Sequence, residues 1–384
     1  MALGGMTGCV RVLLHNIKTK GLICSTKQSN CWTCRVGAKR YLLPEDIIRL
    51  HEFQQRKLAV AHQLYGDKEE YFEMFNQKLQ RNELILKDEL KVLLHLCQTP
   101  EDMETAKSAI YRYHEENRNV AFGEFKFGPL FMRLCYELGL EELAADTVKD
   151  KPLKGFFSDS TSFNIAMDML FTKGYYDSAM EVLIDMKNQG VPFNKDTYML
   201  AFGICYKLNA PKSYRICTTL LEEAQTKGRL IPRHAYCFAV ALALKQEDVE
   251  KAKSIYSQIM STDGRICQNL KVLILVKEGA IKDVLSVLTS AVMPNSPEFV
   301  KKPEFSQEVV DAVRSGTEDN AALHGRVERV LAKLQQSGQV TSLSLDDMLC
   351  HTPTGKRRPA GVLLEQRKSS RRTLRPLQST LLSE

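Results

Sequence analysis

The chain has 384 residues, a formal net charge of +7 at pH 7 and a hydrophobic share of 44%, which is enough for a sizeable core. It contains no run of about 18 apolar residues, so we expect no membrane-spanning helix. Extended alternation of apolar and polar residues, the pattern of half-buried strands, is also missing. The sequence therefore predicts an all-α protein.

The positive charge is concentrated at the two ends of the chain. Residues 1–44 carry seven basic residues and no acidic one, and residues 351–384 carry eight basic residues against Glu365 and Glu384. Subtracting +7 and +6 for these two ends from the total of +7 leaves −6 for residues 45–350. The body of the chain is not globally basic, so a nucleic-acid site there would need a local cluster of basic residues on one face.

The acid-free, basic start of the chain is typical of a mitochondrial transit peptide. A secretory signal fits less well, because the apolar stretch Val10–Leu14 is short and is interrupted by Arg11. We assign residues 1–44 to a transit peptide or a disordered basic arm. This assignment predicts a protein of the mitochondrial matrix.

Motifs for catalysis and for metal binding are missing from the sequence. The eleven cysteines are irregularly spaced, and the CxxC pair Cys31–Cys34 has no second pair at a spacing suited to zinc. We find no Gly-rich phosphate loop, GxSxG, HExxH or zinc-deaminase pattern. We therefore expect a protein that is not an enzyme and needs no cofactor or metal.

Residues 45–90 have the composition of amphipathic helices. Apolar residues such as Leu50, Phe53, Phe72 and Phe75 recur among many charged ones. A helical segment of this kind at the start of a repeat array shields the first repeat from water. We assign residues 45–90 to an N-terminal helical cap.

The segment 160–194 contains two helix-like stretches, each followed by a glycine. In the first stretch, Phe163 and Met167 fall on one helical face, and Gly174 follows as a stop. The second stretch ends at Gly190. The pattern predicts a helix–turn–helix unit of about 35 residues.

A small residue inside the second helix of each unit is the best marker of a repeat, because close helix packing leaves little room there. Such positions recur with a drifting period near 35 residues, at Ala106, Ala144, Ala179, Cys217, Ala252 and Val284. We assign residues 91–292 to degenerate repeats of this unit, with residues 160–194 as the best example.

The end of the chain differs in composition from the repeats. Three prolines in the stretch MPNSPEFVKKPEF predict a linker at residues 293–319. Regularly spaced apolar residues, among them Val327 and Leu331, predict helices within residues 320–350. Residues 351–384 are polar and basic and are assigned to a disordered tail.

The unit at residues 160–194 resembles a pentatricopeptide repeat, a 35-residue helical hairpin that begins with an aromatic–Asn pair. The positions that match the family pattern are Phe163–Asn164, Gly174, Asp177–Ala179, Met186 and Gly190. Phe193 departs from the pattern, which has a proline at that position. The resemblance implies a right-handed α-solenoid whose first helices line the concave surface. It also implies single-stranded mitochondrial RNA as the partner.

In the resembled family each repeat reads one RNA base with two side chains. Carried over by position, these are Asn164 and Asn194, and Asn269 could serve in a later repeat. A carboxamide offers both a donor and an acceptor, which suits either pyrimidine edge. Asn164 follows Phe163 by one residue, or about 100° around a helix, so we expect it to leave the apolar stripe. The alternative is that these are ordinary surface or turn residues.

One or two readable units cannot specify a transcript, because each good base contact contributes only about 1–3 kcal/mol. RNA binding would then depend on shape, on partners or on basic side chains that contact the backbone. The candidates are Lys207, Lys212, Arg215, Lys227, Arg229 and Arg233, unless these residues simply form solvated helix faces.

Three functions fit these observations. The first is a non-enzymatic mitochondrial RNA-binding protein that acts in RNA processing or maturation, with RNA-processing proteins as further partners, and so supports respiratory-chain expression. The second is a structural component of the mitochondrial ribosome or of another ribonucleoprotein. The third is a helical protein-binding scaffold of tetratricopeptide type, which would favour a 34-residue period and lacks support from the Phe163–Asn164 pair.

Overall fold

A computed structural model describes residues 42–64, 67–116, 125–292, 302–318 and 320–351. Within these ranges the chain forms eighteen α-helices, a 3₁₀-helix at Lys151–Leu153 and two strands of two residues each. The fold is an all-α solenoid of helical hairpins, as the sequence predicts. Nearly all of the predicted transit peptide, the Cys31–Cys34 pair and nearly all of the basic tail lie outside the described residues.

The N-terminal part consists of five helices: α1 Glu45–Ile48, α2 Leu50–Gln63, α3 Lys68–Gln80, α4 Lys87–Leu96 and α5 Pro100–Glu116. The predicted end of the cap at residue 90 is wrong, because it falls inside α4. Leu90, Leu93 and Leu94 are all buried and form one continuous face of that helix. Helices α4 and α5 contact each other as a hairpin, so the array begins before the predicted boundary.

Five hairpins follow, each with a first and a second helix. The first helices are α6 Gly128–Leu138, α8 Ser160–Lys173, α10 Lys195–Leu208, α12 Arg233–Lys245 and α14 Arg265–Lys277. The second helices are α7 Glu141–Lys149, α9 Tyr176–Asn188, α11 Pro211–Thr226, α13 Val249–Tyr256 and α15 Ile281–Val292. Consecutive first helices from α6 to α14 contact one another. All six marker residues identified in the sequence are buried in second helices or in α5.

The hairpin of α8 and α9 shows how the sequence sets these boundaries. Asp159 caps the start of α8, since its Oδ2 accepts the N–H of Ser162 at 3.0 Å. Gly174 ends the helix with a φ of 89°, a left-handed conformation that glycine adopts without steric cost. The N–H of Tyr175 then donates to the carbonyl oxygen of Leu170 at 2.9 Å. The chain therefore turns at once into α9.

Ion pairs connect neighbouring repeats along the second helices and the ends of the first. Each pair joins a lysine to a glutamate in an adjacent hairpin, with Nζ–Oε distances of 2.6–3.0 Å: Lys149–Glu181, Lys173–Glu141, Lys187–Glu223, Lys251–Glu222 and Lys253–Glu278. Exposed pairs of this kind contribute about 0–1 kcal/mol each. Their main effect is to neutralise the lysines on this side of the array.

The C-terminal part contains α16 Gln307–Ser315, α17 Ala321–Gln336 and α18 Leu345–Leu349, with strand β1 Phe305–Ser306 paired in parallel to β2 Val340–Thr341. The predicted linker at residues 293–319 is wrong for α16. Val309, Val310 and Val313 are buried there in a cluster shared with α14, α15 and α17. The prolines of the sequence precede this short helix and do not extend through it.

Candidate nucleic-acid interface

Asn164 lies inside the protein. Its side chain is 1% exposed. Its Nδ2 donates to Oδ1 of Asn194 at 3.1 Å, and its Oδ1 accepts the hydroxyl of Thr197 at 2.9 Å. The sequence predicts that Asn164 leaves the apolar stripe of α8, but in the structure the residue is as buried as that stripe, and its carboxamide is engaged by Asn194 and Thr197.

Asn194 caps the helix that follows it. Its Oδ1 accepts the backbone N–H groups of Asp196 at 3.0 Å and Thr197 at 2.8 Å. Its Nδ2 donates to the hydroxyl of Ser160 at 3.1 Å. The structure thus brings the two predicted base-reading residues together, but their carboxamides bond to each other and to the backbone and connect α8 to the start of α10.

Asn269 is also engaged internally. It is fully buried in α14. Its Nδ2 donates to the carbonyl oxygens of Arg265 and Glu304, each at 2.8 Å, and its Oδ1 accepts the N–H of Ser306 at 2.8 Å. The residue holds the segment that leads into α16 against the last repeat. None of the three predicted residues presents a free carboxamide to solvent, and their contact with RNA stays a prediction.

Two of the first helices, α8 and α10, are buried on almost every face. Residues 162–171 of α8 and 197–206 of α10 are buried without interruption. A surface helix would leave a polar stripe open to water. Something other than the second helices must therefore cover these helices, and two segments from the ends of the described chain do so.

The first covering segment, called here the N-terminal inner segment, comprises residues 42–48. The N–H groups of Leu42 and Leu43 donate to Oδ1 of Asp168 in α8, at 3.0 and 3.1 Å. Leu42 also packs against Gly203 of α10, where a Cβ atom would lie 2.8 Å from Leu42 Cδ1. The missing side chain of Gly203 therefore makes room for this segment.

The second, called here the C-terminal inner segment, comprises residues 345–350. Asp346 pairs with Lys207 of α10 at 2.6 Å, and the carbonyl oxygen of Leu349 accepts Nε2–H of His234 at 2.6 Å. Leu349 and Cys350 are fully buried in the main core cluster. Lys207 is consequently inaccessible to RNA in this conformation, which corrects its place among the basic candidates.

Asp168 is a buried carboxyl group with an unusual environment. It is fully buried, and its Oδ2 has no hydrogen-bond donor within the described residues. Burial raises the pKa of Asp168 to about 7, against the lowering effect of the N–H groups of Leu43 and Leu42. The attachment of the N-terminal inner segment thus rests on a group that titrates near neutral pH.

Of the basic candidates, Lys212 and Arg215 in α11 are exposed, and three more exposed cations lie close together from the end of α11 to the start of α12. Lys227, Arg229 and Arg233, called here the basic loop, are all exposed. Leu230 between them is 87% exposed. Within the described part of the chain these three side chains form no ion pair, whereas the lysines along the second helices are paired with glutamates. Unpaired cations on one exposed loop are what phosphate contact requires.

Among the residues that the structure describes, no group of three or more His, Cys, Asp or Glu side chains is placed to hold a metal ion. The described helices also include none with both the length and the apolar character needed to cross a bilayer.

Helical hairpins with a period near 35 residues, stacked through their first helices, define a pentatricopeptide-type α-solenoid. The family model of mitochondrial 28S ribosomal protein S27 matches residues 16–353. The chain is 54% identical to pentatricopeptide repeat-containing protein 2, mitochondrial, of Danio rerio, over 100% of both chains. It is 56% identical to the Xenopus laevis protein of that name, over 91% of this chain and 92% of the relative, and 54% identical to the Homo sapiens one, over 91% and 90%.

The chain therefore belongs to the family of the mitochondrial pentatricopeptide repeat-containing protein 2, within the group that the S27 model describes. It is a mitochondrial protein of a family whose name indicates no catalytic activity. A crystal structure of the pentatricopeptide repeat protein PPR10 from maize aligns with a TM-score of 0.33 and 14% identity, over 79% of this chain and 51% of that one.

Proposed function

We propose that this protein binds single-stranded RNA in the mitochondrial matrix without catalysing a reaction, and acts in RNA processing or maturation. The observation that carries the proposal is the basic loop, where Lys227, Arg229 and Arg233 are exposed and lack acidic partners within the described residues. Membership of a pentatricopeptide repeat family supports RNA as the ligand. Through this role the protein would support expression of the respiratory chain.

The mode of binding that we propose is contact with the RNA backbone. Base reading by Asn164, Asn194 and Asn269 would require each carboxamide to exchange internal hydrogen bonds for bonds to a base. The basic loop needs no such exchange, and contacts to phosphates position a strand without selecting its sequence.

The binding of a fluorescent single-stranded RNA at several salt concentrations tests the proposal. Replacing all three cations of the basic loop by Gln should weaken binding for every sequence and flatten the salt dependence, by about 0.7 in log–log slope for each phosphate that is no longer neutralised. The matched control replaces Lys187, Lys251 and Lys253 by Gln, since these lysines are already paired. If the unaltered protein fails to bind RNA at low salt, the proposed function is wrong.

A second function is favoured by the family model. The match to mitochondrial 28S ribosomal protein S27 spans residues 16–353 and supports a structural role in the mitochondrial ribosome or another ribonucleoprotein. Sedimentation of mitochondrial extracts separates the two functions. A ribosomal component stays with the small subunit through a high-salt gradient, whereas a factor that binds transcripts by backbone contacts is released.

A further inference from the structure

A narrow cleft of about 80 Å³ lies among the N-terminal helices, next to the end of the N-terminal inner segment. It is formed by the junction of α1 and α2, by α2 itself and by the facing sides of α4 and α6. Its polar lining consists of Arg49, Glu52, Arg56, His95 and Arg133, and it is called here the arginine cleft.

Positive charge is in excess in the arginine cleft, because three arginines share one glutamate. Glu52 pairs with Arg56 at 2.6 Å and more distantly with Arg49 at 3.9 Å. Arg133 uses its Nε–H to donate to the carbonyl oxygen of Ile48 at 2.6 Å. Within the described ranges, no hydrogen bond or ion pair engages its terminal Nη groups.

The environment of Arg133 penalises its charge. Burial lowers the pKa of Arg133, Arg49 and Arg56 lower it further, and Glu52 and Asp159 oppose that shift. An anion in the cleft would offset the repulsion among the three arginines. A guanidinium that lines the cleft and is held by its Nε–H keeps two Nη groups that are suited to contact phosphate oxygens.

His95, in the same cleft, has a ring nitrogen that lacks a hydrogen-bond donor among the described residues. It is only 9% exposed, and its Nδ1 lies 2.6 Å from the carbonyl oxygen of Lys91. A carbonyl only accepts hydrogen bonds, so Nδ1 carries the proton and Nε2 is an acceptor. No donor reaches Nε2 within the described residues. A buried acceptor without a donor requires an explanation, and a bound hydroxyl group would supply the missing donor.

We propose that the arginine cleft binds one unit of an RNA backbone, with Arg49, Arg56 and Arg133 on the phosphate oxygens and Nε2 of His95 accepting the ribose 2′-hydroxyl. A phosphodiester group has no proton to donate, so by itself it would satisfy the arginines but not the imidazole acceptor. RNA carries both groups close together along its backbone, whereas DNA lacks the hydroxyl. The assignment rests on the proposed function, because it names a second contact of the same RNA.

Charge-neutralising variants test the phosphate contact by anisotropy with a single-stranded RNA. Arg56→Gln should weaken binding about tenfold and reduce the salt slope by about 0.7. Arg81→Gln is the matched control, because Arg81 is similarly exposed and has only a distant partner, Glu83, at 3.9 Å. Glu52→Gln should strengthen binding, since it removes the competing carboxylate. Equal effects of Arg56→Gln and Arg81→Gln would overturn the assignment.

A comparison of RNA with DNA of the same sequence tests the hydroxyl contact. The unaltered protein should prefer RNA, and His95→Phe, which keeps an aromatic ring beside Phe53, should lose that preference while its melting curve stays cooperative. Equal affinity of the unaltered protein for both strands would overturn the role of His95. Failure of the unaltered protein to bind RNA at all would reject the proposed function instead, so the two failures are distinguishable.

Discussion

Asn164 and Asn194 hydrogen-bond to each other across two repeats, with Nδ2 of Asn164 3.1 Å from Oδ1 of Asn194. These are the positions that the pentatricopeptide pattern assigns to base reading. In this conformation they connect α8 to α10. An RNA strand that contacts their carboxamides must first break the hydrogen bonds that these groups make within the protein.

Asn164→Ala should destabilise the protein by about 1–3 kcal/mol, because it removes the two buried hydrogen bonds that the Asn164 carboxamide makes to Oδ1 of Asn194 and to the hydroxyl of Thr197. Asn188→Ala is the control, since Asn188 is exposed at the end of α9 and should change stability by less than about 0.5 kcal/mol. Urea unfolding gives both values. If the two variants lose the same small amount, the buried carboxamide network does not stabilise the fold.

Asp168 should make the stability of the protein depend on pH. Its pKa in the folded state, about 7, is raised above the ordinary value of 3.8. The stability that it contributes is therefore fully present below pH 3.8, and is lost as the pH rises through about 7.

The corresponding variant is Asp168→Asn, whose amide oxygen can accept the same two N–H groups but does not titrate. Unfolding free energies of both proteins between pH 5 and 8 should diverge, by up to about 4 kcal/mol over the full titration. Parallel pH curves would show that the folded-state pKa of Asp168 is not raised.

Gly203→Val should displace the N-terminal inner segment, because its Cβ would lie 2.8 Å from Leu42 Cδ1. Overpacking of this kind lowers the free energy of unfolding by about 1–3 kcal/mol. Hydrogen–deuterium exchange at the backbone amides of Leu42 and Leu43 should become faster. Gly325→Val in α17 is the control, since a Cβ atom at Gly325 would have no neighbour within 4 Å among the described residues. Unchanged exchange at Leu42 in the Gly203 variant would mean that the segment is not held there.

Lys207→Met should loosen the C-terminal inner segment. The Lys207 side chain is 11% exposed and its partner Asp346 29%, so the loss should be about 1–3 kcal/mol. Lys187→Met removes an ion pair whose side chains are 49% and 37% exposed, and should cost less than about 1 kcal/mol. Thermal unfolding compares the two. A larger loss for Lys187→Met would contradict the structural role of the Lys207 pair.

The architecture of the repeats was predictable from the sequence, because it depends on local periodicity. Ala179 and the other markers are buried where the 35-residue period places them, and Gly174 ends α8 as its position indicates. Each of these signals lies within one hairpin or between adjacent hairpins. Local patterns of this kind carry most of the information about a solenoid.

The covering of the first helices was not predictable, because it depends on contacts between distant residues. Leu42 and Asp168 are 126 residues apart, and Lys207 and Asp346 are 139 apart. No periodic pattern links such partners, and Lys207 resembles any other lysine on a helix. A clue that could have been used is the nearly uninterrupted apolar character of α8, α10 and α12, which is excessive for helices with one open face.

The central claim is that RNA contacts the exposed basic residues of this solenoid while its first helices stay covered. Ultraviolet crosslinking of the protein to a bound single-stranded RNA, followed by mass spectrometry of the crosslinked peptides, tests it most directly. We predict crosslinked peptides that contain residues 227–233 and none from the buried stretches 162–171 and 197–206. Crosslinks at Asn164 or within those stretches, with the basic loop unmarked, would contradict the account.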